Sequence, residues 1–132
     1  MQGFSANIEQ ETLANNDFRR VLYTGKHHQL VLMSLPAGSE IGSEVHREND
    51  QFFRFEAGVG KVIVDDTEHV VADGSAVIVP AGSRHNVINT SDSQALKLYT
   101  LYAPPHHKDG IVRKTAKDAA ENDEDFDGIT SE

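Results

Sequence analysis

The sequence contains no cysteine, and this absence excludes disulfide bonds, thiolate zinc sites and cysteine nucleophiles. It also lacks any run of about eighteen apolar residues, so no transmembrane helix is predicted. The first residues, MQGFSANIEQETL, do not show the basic segment followed by an apolar segment that marks a secretory signal. A cytoplasmic protein that does not insert into membranes is therefore the expectation, by elimination.

Positive charge is scarce, because 12 lysines and arginines stand against 21 aspartates and glutamates, for a formal net charge of -9. Phosphate binding requires a basic face, so we expect no nucleic-acid partner. Much of the acidity lies in ENDEDFDGITSE, residues 121–132. We interpret this run as a solvated, partly disordered tail. In the alternative interpretation Phe126 docks on the body of the protein and orders the tail, and neither interpretation makes the tail a site.

What the sequence does contain is a series of short segments rich in β-branched and aromatic residues, separated by Gly-, Pro- and Asp-containing turns. These segments predict strands at residues 18–25, 29–35, 51–56, 61–66, 68–72, 75–80, 86–89 and 95–102. Short strands at regular spacing with such turns indicate an all-β antiparallel sandwich or barrel. Helix-forming composition is confined to KTAKDAAEND, residues 114–123.

One spaced pattern lies in the second half of the chain. Gly74 is followed after five residues by Pro80, then by Gly82, and after two residues by His85, with Asn89 four positions later. Proline fixes φ and glycine accepts a positive φ, so Pro80 and Gly82 suit a tight turn. The pattern predicts that His85 is displayed at the start of a strand, just beyond a rigid corner.

A second pattern lies upstream. Gly38 is followed after five residues by Glu44, then by His46, after four residues by Gln51, and after six residues by Gly58. Glu44 and His46 are two positions apart, so on a strand both side chains point to the same face. Gln51 opens the returning strand and is predicted to face the same interior.

These two patterns resemble the paired motifs of the cupin superfamily. The downstream pattern, from Gly74 to Asn89, matches its cupin motif at every fixed position. The upstream pattern, from Gly38 to Gly58, matches every interval of its motif but departs in two identities, since Glu44 stands where a histidine is expected and Gln51 where a glutamate is expected. The resemblance implies a double-stranded β-helix (jelly-roll) barrel across residues 1–110, with the motifs between 38 and 89. Residues 111–132 would then form a short helical or irregular tail.

The resemblance also implies a metal site with Glu44, His46, Gln51 and His85 as ligands. This set keeps the single negative charge of the usual cupin set, and two histidines with one carboxylate are the composition favoured by non-haem iron. We expect a divalent transition metal, with iron, manganese, nickel and zinc left open. The alternative is that the two departures mark a site that has lost its metal. Glu48 ranks below Glu44 because it belongs to the turn.

Several other side chains are candidates for the pocket. Phe53 and Phe55 share the parity of Gln51 and are predicted to form an apolar pocket wall. His106 and His107 follow two prolines and are weak catalytic candidates as acids or bases, although exposure in a loop is the favoured interpretation. Tyr99 and Tyr102 have opposite parity, so only one of them should face the interior. Solvent exposure is expected for His27, His28, His69 and the side chain of Arg84.

Small cupins of this pattern are similar to proteins described as mannose-6-phosphate isomerase-like, and others are dioxygenases or lyases. The resemblance therefore implies a metalloenzyme acting on a small, oxygen-rich substrate. The alternative is a non-catalytic module that binds a small ligand. On the same analogy we expect a homodimer, in which residues 18–25 cover a sheet edge of the second subunit.

Overall fold

A computed structural model describes all 132 residues of the chain. It contains two short helices, α1 (Ile8–Ala14) and α2 (Ala116–Glu121). The strands, in chain order, are β1 (Arg19–Thr24), β2 (Gln29–Leu35), β3 (Glu44–Val45), β4 (Asp50–Ala57), β5 (Val59–Val64), β6 (Thr67–Ala72), β7 (Ala76–Val79), β8 (Arg84–Asn89), β9 (Leu96–Ala103) and β10 (Val112–Arg113). Neither helix is long and apolar enough to cross a membrane.

The strands form two sheets in which every pairing is antiparallel. A six-stranded sheet has the order β10-β1-β2-β9-β4-β7, and a four-stranded sheet has the order β3-β8-β5-β6. The predicted all-β jelly-roll architecture is thus confirmed. Each predicted strand segment overlaps a strand of the structure, with boundaries shifted by a few residues.

The core lies between the two sheets and follows from residue alternation along the strands. In β9, for example, every second side chain from Leu96 to Tyr102 is buried, while those between them are partly exposed. Successive side chains on a strand point to opposite faces, so this period of two buries one face of each sheet. The buried cluster includes Val31, Met33, Leu35, Phe53, Phe55, Val62, Val87, Leu96 and Leu98.

Helix α1 was not predicted, and its start has a local cause. Asn7 caps it, with its side-chain oxygen accepting a hydrogen bond of 3.0 Å from the backbone N–H of Gln10. Glu9 and Glu11 lie in the first turn, where negative charge complements the helix dipole. The capping signal Asn-x-x-Gln was therefore present in the sequence. Helix α2 lies inside the predicted segment 114–123 and is capped by Thr115.

The acidic tail is ordered against the barrel. Phe126 N–H donates to His106 O (3.0 Å), and Lys108 N–H donates to Glu124 O (3.1 Å). Farther along, Ser131 N–H donates to Thr24 O at 2.9 Å. The side chains of Lys108 and Arg113 both pair with Glu124. The structure therefore follows the interpretation in which the tail docks at Phe126, because backbone hydrogen bonds and two cations hold the acidic run in place.

Strand β1 has partners on both sides within its own chain, since it pairs with β10 and with β2. Residues 18–25 are consequently not free to cover a sheet edge of a second subunit, as the sequence had suggested. The unpaired edges of the two sheets are instead β7 and β10 in the larger sheet, and β3 and β6 in the smaller one.

A testable consequence of the fold concerns Gly60, a buried residue of β5 that pairs with Asn89 of β8. A Cβ atom at this position would collide with Ile88 O and lie 2.9 Å from Leu96 Cδ2. We expect Gly60→Ala to lower the free energy of unfolding by about 1–3 kcal/mol in urea denaturation, through overpacking. Gly25→Ala is the matched control, because its Cβ would approach no atom closer than 3.4 Å. Equal stability of the two variants would contradict the packing argument.

Candidate metal centre

Backbone pairing brings the two sequence patterns together. Strand β3 pairs with β8 so that Glu44 lies opposite His85. The turn before β8 is tied to the same place, because Gly82 N–H donates to His46 O at 2.9 Å. Gly82 has φ +89°, a conformation that glycine adopts without steric cost. The two patterns thus meet in the structure, as the resemblance to the paired cupin motifs implied.

Three side chains converge there. One ligand atom from each of Glu44, His46 and His85 can be chosen so that all lie within 4.8 Å of one another. Glu44 Oε2 lies 3.0 Å from His46 Nε2. The side chain of His46 is 9% exposed and that of Glu44 is 33% exposed, while His85 as a residue is 4% exposed. The group is therefore sheltered from solvent but reachable from it.

The orientation of His85 is fixed by its neighbour. Its Nδ1 lies 3.1 Å from Ser83 O, and a carbonyl oxygen can only accept, so Nδ1 carries the hydrogen. Burial lowers the pKa of His85, so the imidazole is neutral near pH 7 and Nε2 has a free lone pair. Nε2 is buried and has no hydrogen-bond partner. A metal-ligating histidine has this arrangement, in which one ring nitrogen donates to a backbone carbonyl and the other keeps a free lone pair.

Glu44 is ionised at the same place. Burial raises the pKa of its carboxyl group, but the hydrogen bond from His46 and the charges of His46 and Arg19 outweigh that effect and leave the pKa below its ordinary value. A carboxylate and two imidazoles suit iron, manganese, nickel and zinc alike. The residues present therefore fit a divalent transition metal. The orphaned Nε2 of His85 disfavours the alternative in which the site has lost its metal, because an unpaired buried polar atom is costly.

Gln51 is placed as a buried polar residue on the inward face of β4. It is 3% exposed, and its Nε2 donates to Thr100 Oγ1 at 3.0 Å. That bond leaves Oε1 buried and without a partner. The amide is thus oriented with a free oxygen, as a ligating glutamine would be, and its role as a fourth ligand stays a prediction.

A cavity of about 180 Å³ is lined by two of the three donors, Glu44 and His46. Its apolar wall consists of Phe18, Ile41, Ala116, Ala119 and Ala120. The predicted wall residues Phe53 and Phe55 are 1% and 0% exposed and belong to the core. The ring centroid of Phe53 lies 6.3 Å from that of His85. Neither phenylalanine lines the cavity. Parity correctly placed them inside but did not distinguish core from cavity.

His106 and His107 are not exposed loop residues, which corrects the favoured interpretation. Both line the cavity, and His107 is 3% exposed. The loop is held by Gln29, which donates from Nε2 to His107 O (2.7 Å) and accepts at Oε1 from His107 N–H (3.0 Å). Gln29 is itself fully buried. A polar residue at an inward position of β2 was the sequence signal for this anchor.

The two histidines differ in their surroundings. Burial lowers the pKa of His107 to about 2, and its Nε2 lies 3.2 Å from the hydroxyl of Tyr102. The ring of His106 lies nearer the metal ligands, with its centroid 4.3 Å from that of His46. Tyr102 is the tyrosine that faces the interior, since it is 2% exposed. Tyr99 lies on the other face beside Phe52, so opposite parity was a sound prediction.

The remaining candidates lie where the sequence placed them. His27, His28 and His69 are exposed, and Arg84 is exposed and donates to Ser43 Oγ. Glu48 is exposed in the turn and is not one of the three converging residues. Sequence reasoning missed the parts of the cavity lined by Phe18, Arg19 and helix α2, because these segments are far from both motifs in the chain.

Comparison with known proteins agrees with this geometry. The family model of the cupin domain matches residues 31–102. The uncharacterized protein YrkC of Bacillus subtilis (strain 168) is 49% identical over 122 residues, which cover 88% of this chain and 65% of YrkC. The uncharacterized protein L612 of Acanthamoeba polyphaga mimivirus is 43% identical over 114 residues, or 84% of this chain and 71% of L612. This chain therefore spans slightly less than two thirds of YrkC.

A solved structure is similar over nearly the whole chain. The crystal structure of BH2720 from Bacillus halodurans superposes with a TM-score of 0.89 at 43% sequence identity. The superposition covers 92% of this chain and 96% of BH2720. The overall fold of this chain is thus seen in the crystal structure of a similar protein.

The donor set makes a direct prediction about metal content. After reconstitution with iron, manganese, nickel or zinc, we expect about one ion per chain, and we expect His85→Ala and Glu44→Ala to weaken metal affinity by at least ~100-fold. Arg84→Ala is the matched control, because Arg84 adjoins His85 but faces solvent. Elemental analysis and metal titration measure the outcome. A wild-type protein that holds none of the four metals would contradict the site.

Proposed function

This chain belongs to the cupin family, and we propose that it is a metal-dependent enzyme acting on a small, oxygen-rich molecule. The observation that carries the proposal is the convergence of Glu44, His46 and His85, with Nε2 of His85 unpaired. Two of the three, Glu44 and His46, line a cavity. Cupins host many activities, so the argument for catalysis has to come from the site and not from the fold.

A divalent ion held by Glu44, His46 and His85 would supply Lewis acidity to a carbonyl or hydroxyl oxygen of the substrate. The cavity of about 180 Å³ is smaller than the pockets of about 300–1,000 Å³ that take drug-sized ligands. A substrate with few heavy atoms therefore fits best.

His106 is positioned to move a proton in this cavity. Burial and the charge of His46 lower the pKa of His106, so the ring is neutral near pH 7 and accepts a proton. No hydrogen bond occupies either ring nitrogen, since only the backbone of His106 is hydrogen-bonded. A base of this kind takes a proton from a carbon next to a carbonyl and returns it to the neighbouring carbon. This chemistry supports an isomerase or lyase, including the sugar-phosphate isomerase type.

A second candidate reaction is oxygen-dependent cleavage. Two histidines and one carboxylate form the ligand composition of many non-haem iron oxygenases, and Glu44, His46 and His85 have that composition. The two reactions separate in one measurement, because a dioxygenase consumes oxygen in proportion to product and an isomerase consumes none. The alternative without catalysis is a module that binds a small ligand in the cavity and does not convert it.

The proton-transfer role of His106 is testable by substitution. In a panel of sugar phosphates, keto acids and diketones with each metal restored, we expect His106→Gln to lower turnover by about 10²–10⁴-fold while metal content stays at the wild-type level. His27→Gln is the control, since His27 is exposed in a distant loop. Absence of turnover across the panel, with metal tightly bound, would instead favour the binding module.

We also propose that two copies of the chain form a homodimer through the free edges of β6 and β7. Each edge carries an exposed apolar side chain, Val70 (87% exposed) on β6 and Ile78 (68% exposed) on β7. Unprotected edge strands and exposed apolar side chains are both features of sheet surfaces that pair with another chain.

The dimer is tested by gel filtration with light scattering at micromolar concentration. We expect the mass of two chains for the wild type, and of one chain for the double variant Val70→Lys, Ile78→Lys, because charges on an edge oppose pairing. A control variant with Ile129→Lys changes an exposed apolar residue in the tail and should remain dimeric. A wild-type monomer would remove the proposal.

A further inference from the structure

The cavity contains a buried cation without a partner. Arg19, the first residue of β1, lines the cavity beside Glu44 and His46 and is 7% exposed. Its Nε is buried and has no hydrogen-bond partner. Ion pairs in the structure involve other cations, among them Arg20 and Arg113, and none involves Arg19. The guanidinium carbon lies 5.4 Å from the centroid of the Phe18 ring.

Such an arginine is unusual on physical grounds. A buried charge is costly unless it is paired and hydrogen-bonded, and a guanidinium presents five donors that match the two oxygens of a carboxylate. Arg113, which lies opposite Arg19 in the pairing of β1 with β10, illustrates the usual solution. Its side chain is 14% exposed, bonds to Asn122 O, and pairs with Glu124 at 3.1 Å. Arg19 is also buried, but no carboxylate forms an ion pair with it.

Neither acid of the cavity supplies that partner. Glu44 and Asp123 both line the cavity, yet neither lies within the 4.0 Å of an ion pair with Arg19. Glu44 is hydrogen-bonded to His46. The free donors of Arg19 are therefore available to a molecule that enters the cavity.

We propose that Arg19 binds the carboxylate of the substrate, so that the substrate class is small carboxylic acids carrying a second oxygen, such as 2-oxo and 2-hydroxy acids. This inference rests on the proposed function for the second oxygen, which faces the three metal-site residues. Two-point binding fixes the orientation of a small molecule in a way that one contact does not. Arg19 is then the residue that determines specificity for acids.

Charge balance supports an anionic ligand. A divalent ion and Arg19 contribute three positive charges, and Glu44 and Asp123 contribute two negative charges, which leaves one positive charge among these cavity residues. His107 adds none, since its low pKa keeps it neutral. One carboxylate neutralises the remaining charge.

The experiment compares an acid with its neutral analogue. Lactate and pyruvate are the acid probes, lactamide is the neutral probe, and isothermal titration calorimetry measures binding to the metal-loaded protein. We expect the wild type to bind an acid at least about tenfold more tightly than lactamide, and Arg19→Gln to lose about 10–100-fold in affinity for that acid. Affinity for lactamide and metal content should stay unchanged, and Arg19→Lys should recover part of the acid affinity.

Arg20→Gln is the matched control on the same strand, because the side chain of Arg20 is 52% exposed and lies outside the cavity. It should bind both probes as the wild type does. A second readout needs no ligand. Since Arg19 forms no ion pair, we expect Arg19→Gln to leave the Tm of the ligand-free protein within roughly 3 °C of the wild-type value. A lower Tm with equal loss of acid and lactamide would assign Arg19 a structural role and overturn the proposal.

The remaining outcomes are also decisive. Equal affinity of the wild type for lactate, pyruvate and lactamide, or unchanged acid binding by Arg19→Gln, overturns the proposal. If the wild type holds no metal, the proposed function fails, and the same titration on the metal-free protein still decides the role of Arg19. Acid binding that depends on Arg19 in the metal-free protein supports the carboxylate site on its own, and no binding of either acid to either form overturns it.

Discussion

The pairing of β3 with β8 is the constraint on which the site depends. Strand β8 is secured by five residue pairs with β5, whereas β3 pairs with β8 through only two. The short strand is therefore fixed by bonds outside the regular ladder. Gly82 N–H donates to His46 O, and Ile41 N–H donates to Val87 O. Glu44 and His46 thus take their position from the backbone of the segment that carries His85, and the three donors behave as one unit.

The sequence was most informative where the relevant physics is local. Strand alternation placed Gln51, Phe53 and Phe55 inside, because alternation depends on backbone geometry within a few residues. The proximity of Glu44 and His85, about forty residues apart in the chain, was instead an implication of the resemblance to the two cupin motifs. Helix α1 was not predicted, although its N-cap residue was visible in the sequence, because the segment has only a weak hydrophobic pattern.

The cavity was less predictable because its walls come from distant parts of the chain. Arg19, Ala116 and Asp123 reach it only through the packing of β1, α2 and the tail onto the barrel. His106 and His107 belong to it because Gln29, about eighty residues earlier, binds the backbone of their loop. The spacing of residues along the sequence does not reveal a contact between segments so far apart. The expectation that His106 and His107 are exposed to solvent was accordingly wrong.

Part of the cavity wall is encoded far from the three donors in the chain. Glu44 and His85 lie on strands of the barrel and His46 directly follows β3, whereas Ala116, Ala119, Ala120 and Asp123 reach the cavity from the carboxy-terminal segment. That segment contributes little to the main core, with Ala119 as its one buried core residue. Substitutions there can accumulate without disturbing the sheets or the donors. A lineage can thus alter one wall of the cavity while keeping the same three donors, so divergence of the carboxy-terminal segment between relatives indicates a difference in the shape of the cavity.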